Sequence, residues 1–75
     1  MEIIYTKHAI KEMYSHGIEV SKIEDTIIHG DKKIESKKQN KYRSVKRYGN
    51  VKIHVIFRII NENVLKVITC KKVRV

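Results

Sequence analysis

The sequence predicts a small α+β domain in which two short N-terminal helices pack on one face of a four-stranded antiparallel sheet. The first thirty residues hold two capped apolar stripes at helical spacing. From Asp31 onward the hydrophobic period falls to two, and Gly49-Asn50 and Asn61-Glu62-Asn63 separate the apolar runs. With 75 residues and no proline the chain has room for one domain, residues 1–75, with a thin core. No repeat and no Pro/Gly/Ser linker divides it.

Each element has a local reason. Thr6 is placed to cap a helix over about Lys7 to His16, with Tyr5 packing on Ile10 as a hydrophobic staple and Gly17 supplying the left-handed stop. At 100° per residue Ala9, Ile10, Met13 and Tyr14 share the side expected to be core, and His8, Glu12, Ser15 and His16 share the other. Ser21 and Glu24 stand at capping-box spacing, so a second helix of about two turns is expected, with Val20, Ile23 and Ile27 as its stripe and Gly30 as its end. Residues 32 to 38 read as an edge strand blunted by Lys32, Lys33, Lys37 and Lys38. Strands at about 41 to 48, 51 to 60 and 64 to 71 follow.

A two-residue turn at Gly49-Asn50 fixes a register. It pairs Tyr48 with Val51, Lys46 with Ile53, Ser44 with Val55 and Tyr42 with Phe57, all facing the helices. The opposite face then receives Lys41, Arg43, Val45 and Arg47 from one strand and Lys52, His54, Ile56 and Arg58 from the next. His54 lies opposite Val45, with Arg43 and Arg47 on its diagonals. A three-residue second turn would add Lys66, Ile68 and Cys70 to this face and set Lys66 opposite Arg58. Like charges directly opposite destabilise a sheet unless an anion lies between them.

Charge is segregated in the same way. Residues 1 to 30 hold three basic and five acidic side chains, or −2, whereas residues 31 to 75 hold fourteen and three, or +11. Such a field favours polyanions. An idle solvated face would mix Lys with Glu. The face as drawn holds no acidic residue, so a phosphate-binding surface is the expectation. The lone Cys70 excludes an intramolecular disulfide and reads as a packing residue rather than a nucleophile. No Cys/His cluster has zinc-ligand spacing, and no apolar run approaches a membrane span. His8, Glu12 and His16 fall at i, i+4 and i+8, too spread for one metal, so neither metal nor cofactor is assigned. A cytoplasmic protein without membrane attachment is expected.

The stretch TKHAIKEMYSHGIEVSKIEDTI, with His8-Ala9, Met13, Gly17-Ile18 and the later Thr69, resembles the opening of a family of small prokaryotic domains of unknown function. Glu12 and His16 stand where that family usually carries arginines. The family resembles the RelE/barnase-like group, in which two helices pack on an antiparallel sheet and many members are ribonuclease toxins restrained by antitoxins. The resemblance therefore implies a toxin that cleaves RNA, ribosome-associated mRNA among its targets, and an acidic antitoxin as partner.

Metal-independent RNA cleavage uses the ribose 2′-hydroxyl to attack phosphorus, so it needs a base, an acid for the departing 5′-oxygen, and cations around the phosphorane. His54 suits proton transfer, and neighbouring positive charge pushes it toward its neutral, basic form. His8, which carries the family match, is the second catalytic candidate, with Arg43 and Arg47 as phosphate clamps. Lys41, Lys52, Arg58, Lys66 and Thr69 are the expected nucleic-acid contacts. The alternative functions are a non-catalytic nucleic-acid-binding module and a basic interaction domain of the same fold.

Overall fold

The computed structural model describes all 75 residues. Its order is β1 (Glu2–Tyr5), α1 (Lys7–His16), α2 (Val20–His29), β2 (Asp31–Ser36), β3 (Lys41–Tyr48), β4 (Val51–Asn61) and β5 (Val64–Arg74). The strands form one five-stranded mixed sheet, ordered β1-β5-β4-β3-β2. This corrects the expected four-stranded antiparallel sheet, because Glu2–Tyr5 is a strand and pairs in parallel with Val64–Val67. Four residues are too few to show a period, and their partner lies some sixty positions away.

The caps of α1 are as expected: Thr6 Oγ1 accepts from Ala9 N at 3.0 Å, and Gly17 takes φ 62°. The expected core side of α1 is only half right. Ala9 is buried and Met13 partly so, whereas Ile10 is 46 % exposed and Tyr14 85 %. The reason is the position of the helix. Thr6 N donates to Val67 O and Thr6 Oγ1 to Ile68 O, so α1 continues the line of β1 along the edge of β5 that no strand covers. At its far end Lys72 N donates to His16 Nδ1 at 3.4 Å. A helix at the sheet margin buries a narrower stripe than one lying over the sheet, so the expected packing of both helices on one face is not exact: α1 reaches the core it shares with α2 from the edge of β5.

In α2 the helix begins at Val20 and runs ten residues, with Glu19 as an N-cap that makes no side-chain cap bond. Ser21 lies inside the first turn, so the Ser21/Glu24 capping box does not form. Ile23, Thr26 and Ile27 are buried, while Val20 is exposed. The close of α2 depends on Gly30, where an added Cβ would meet Thr26 O, Ser44 Oγ and Val45 O, all within 2.8 Å. A salt bridge from Lys46 Nζ to Asp25, joined by the Tyr48 hydroxyl, pins α2 to β3.

The β3–β4 register is the expected one, from Tyr48↔Val51 to Tyr42↔Phe57. Ile53, Val55 and Phe57 meet Leu65, Val67 and Cys70 of β5 under Ala9, Ile23 and Ile27. Between Ile56↔Thr69 and Phe57↔Val67 the register shifts, leaving Ile68 as an extra residue in β5. Beyond this bulge the parity of β5 reverses. Cys70 falls opposite Val55 and is buried, rather than on the outer face as the uninterrupted strand implied. Phe57 is fully buried and stacks on Tyr42 with ring centroids 5.8 Å apart. Phe57→Ala is expected to lower stability by about 3–5 kcal/mol in urea denaturation. A change under about 1 kcal/mol would place this face outside the core.

Candidate phosphate-binding cleft

The face of the sheet away from α2 is built in rows that run across the strands. One row reads Asp31, Val45, His54, Lys71 and the next Lys33, Arg43, Ile56, Thr69. Toward one end Lys41, Arg58 and Lys66 lie side by side, and toward the other Arg47 faces Lys52. The bulge at Ile68 is what turns Thr69 and Lys71 to this face. Lys71, directly opposite His54, was missed in the sequence because an unbroken period of two sends it to the other side.

Two clefts, of about 340 and 320 Å³, meet at His54 and Arg43. One adds Glu12, His16, Thr69 and Lys71. The other adds Asp31, Lys33, Val45 and Lys52. Arg43 Nη1 donates to His54 Nδ1 at 3.1 Å, which leaves the ring proton on Nε2. The same guanidinium reaches Glu35 through Nη2 at 3.0 Å and Nε at 3.2 Å. Glu35 is the extra residue in a second irregularity, between Ile34↔Tyr42 and Ser36↔Lys41. The face is therefore not acid-free as expected: Asp31 and Glu35 enter from β2, and Glu12 from α1.

Burial holds His54 below the usual imidazole range, and the charges of Lys71, Arg43 and Lys52 lower it further. Cys70 underlies the cleft as a shielded thiol, pushed up to about 11 by burial and by Glu12.

The other sequence-derived residues divide. Thr69 joins His54 and Arg43 in one cleft, and Lys52 joins them in the other. Arg47 instead turns back on its hairpin, its Nε donating to Gly49 O at 2.8 Å. Arg58 donates to Gln39 O at 3.0 Å, and with Lys41 and Lys66 it stands at the end of the sheet away from both clefts. His8 is 61 % exposed at its side chain, lies 3.7 Å from Glu12, and does not enter the cleft. His16, one helical turn beyond Glu12, does enter it.

Residues 5–70 match the model of a domain of unknown function, DUF4258. The chain belongs to the DUF4258 family. No curated protein matches it. The crystal structure of the Brucella abortus ribonuclease toxin BrnT has the same fold, with a TM-score of 0.75 at 15 % identity over 100 % of this chain and 99 % of that one. In this DUF4258 chain, no helix is long and apolar enough to cross a membrane.

The position of His54 sets a pH dependence. The folded protein binds its imidazole proton more weakly than the unfolded chain does, so this contribution to stability is complete above the unfolded value of ~6.5 and is lost as pH falls through the lower folded value. Nuclear magnetic resonance titration should find His54 below ~6.5 and rising in Lys71→Ala, and rising further in Arg43→Ala, where Glu35 also loses its partner. Titration at or above ~6.5 in the parent protein would contradict the packing of the cleft.

Proposed function

We propose that the protein is the toxin of a toxin–antitoxin pair and a metal-independent endoribonuclease. The observation that carries this reading is the convergence of a neutral histidine, an arginine, a lysine and a threonine hydroxyl in one cleft, on a fold shared with a ribonuclease toxin. An RNA phosphate seated there offers Arg43 a better partner than His54. The planar guanidinium can grip two phosphate oxygens, whereas it gives the imidazole one bond. As Arg43 turns to the phosphate, Nδ1 of His54 is uncovered and can take the proton of the 2′-hydroxyl. Lys71 and Thr69 then face the charge that develops on the phosphorane.

Lys33 and Lys52 extend the track along the backbone on one side of His54, and the Lys41, Arg58 and Lys66 row extends it on another. DNA, which lacks the 2′-hydroxyl, would be bound without being cut. An acidic antitoxin segment laid on the same face would exclude RNA and silence the enzyme.

The Arg43–Glu35 ion pair favours a second reading, in which the face docks nucleic acid or an acidic partner without cleaving. An arginine already neutralised by a carboxylate binds phosphate less strongly. Cleavage assays separate the two. His54→Ala is expected to lower the rate of RNA cleavage by ~10²–10⁴ while leaving affinity nearly intact. Lys71→Ala should weaken binding and reduce the dependence of log affinity on log salt by ~0.7, the value of one single-strand phosphate contact. Tight RNA binding by the parent protein with the RNA left whole, in the presence or absence of ribosomes, would establish the second reading.

A further inference from the structure

Proton transfer to the departing 5′-oxygen needs a second group, and His54, engaged as the base, cannot supply it in the same step. The cleft offers few choices. Cys70 is buried with a raised pKa, Arg43 does not give up a proton, His8 lies outside, and Lys71, directly opposite His54, is already placed against the charge of the phosphorane. His16, on α1, lines the same cleft of about 340 Å³ as His54, on β4.

We propose that His16 is the catalytic acid of this cleft, with Glu12 as the residue that positions it. The proposal rests on the ribonuclease reading and adds a residue which that reading does not use. Its support is geometric. Lys72 N donates to His16 Nδ1 at 3.4 Å, which puts the ring proton on Nε2, and Glu12 Oε2 lies 3.3 Å from that nitrogen. The ring is thus held at both ends, with its Nε2 proton directed at Glu12, which lines the same cleft and gives up that contact to a departing oxygen seated there. The Lys72 contact is at the long limit of a hydrogen bond and is readily given up when Nδ1 takes a proton from water.

The two histidines sit among opposite charges. Lys71, Arg43 and Lys52 act on His54, while Glu12 is the nearest charge to His16, with the Lys72 ammonium beside Gly17 and Lys71 across the cleft.

The step balances without a metal or a redox partner. His54 accepts the 2′-hydroxyl proton as the 2′-oxygen bonds to phosphorus. The bond from phosphorus to the 5′-oxygen breaks, and that oxygen takes the Nε2 proton of the His16 imidazolium. The products are a 2′,3′-cyclic phosphate and a 5′-hydroxyl end. Exchange with water then returns both rings to their starting forms.

Sulfur at the bridging 5′ position of the scissile link tests the role, because a thiolate leaves without a proton. Parent protein, His16→Gln, Glu12→Gln and His54→Ala are to be compared on an RNA oligonucleotide containing a cleaved site and on the same oligonucleotide with that sulfur. His16→Gln should lose ~10²–10⁴ on the oxygen substrate and less than about tenfold on the sulfur one. Glu12→Gln, which leaves the Lys72 contact in place, should show a smaller loss with the same selectivity, and His54→Ala should lose both. Equal losses on the two substrates in both His16→Gln and Glu12→Gln, or no loss in His16→Gln, would overturn the assignment and leave the His54 reading standing. A parent protein that cuts neither substrate would remove the ribonuclease reading and this assignment with it.

Discussion

One extra residue in the last strand determines what the outer face can do. Up to Val67, β5 alternates as its pairing with β4 requires, with Leu65 and Val67 in the core and Lys66 outside. The unpaired Ile68 resets the count, so that Cys70 fills the core and Thr69 and Lys71 come out beside Ile56 and His54. A strand without the bulge would set Cys70 among the cations and bury Lys71 under α1, where a lone ammonium costs several kcal/mol to desolvate. The same residue accepts the Thr6 hydroxyl on its carbonyl and so marks where β1 gives way to α1. Core packing, helix entry and cleft composition are therefore coupled at one backbone irregularity.

The outer face carries a cost that packing alone does not explain. Arg47 faces Lys52, Arg58 faces both Lys41 and Lys66, Lys33 faces Arg43, and His54 faces Lys71. Such cross-strand pairs of like charge disfavour the sheet. The chain relieves the strain locally: Glu35 neutralises Arg43, Arg47 and Arg58 turn to backbone carbonyls, and His54 keeps its neutral form. The acids are therefore placed where cations crowd. An anion bound in the cleft would relieve the same repulsion from outside.

Much of this was legible in the residues themselves. Thr6, Gly17 and the Gly49-Asn50 turn are local signals, and the β3–β4 register follows from the turn alone, which is why His54 and Arg43 could be put side by side. The parallel strand β1 was hidden because pairing with a distant segment leaves no local mark, and the register shifts at Glu35 and Ile68 were hidden because an extra residue obeys no period. Those hidden features supplied Lys71, Glu35, Glu12 and His16. Helical periodicity put Glu12 and His16 on the side away from the core, but only the placement of α1 along the edge of β5 shows that this side borders the His54 cleft. Arg47 sits on the expected face, yet its side chain follows the nearest carbonyl rather than the face as a whole.

Chemical-shift mapping with a 2′-O-methyl RNA, which binds but cannot be cut, tests the bulge-built cleft most directly. Signals of Arg43, His54, Thr69 and Lys71 should move together at one affinity, with Glu35 shifting as its partner turns to phosphate and Arg47 little changed. Shifts confined to Lys41, Arg58 and Lys66, or to the apolar side of α1, with Thr69 and Lys71 unmoved, would contradict a phosphate site at His54.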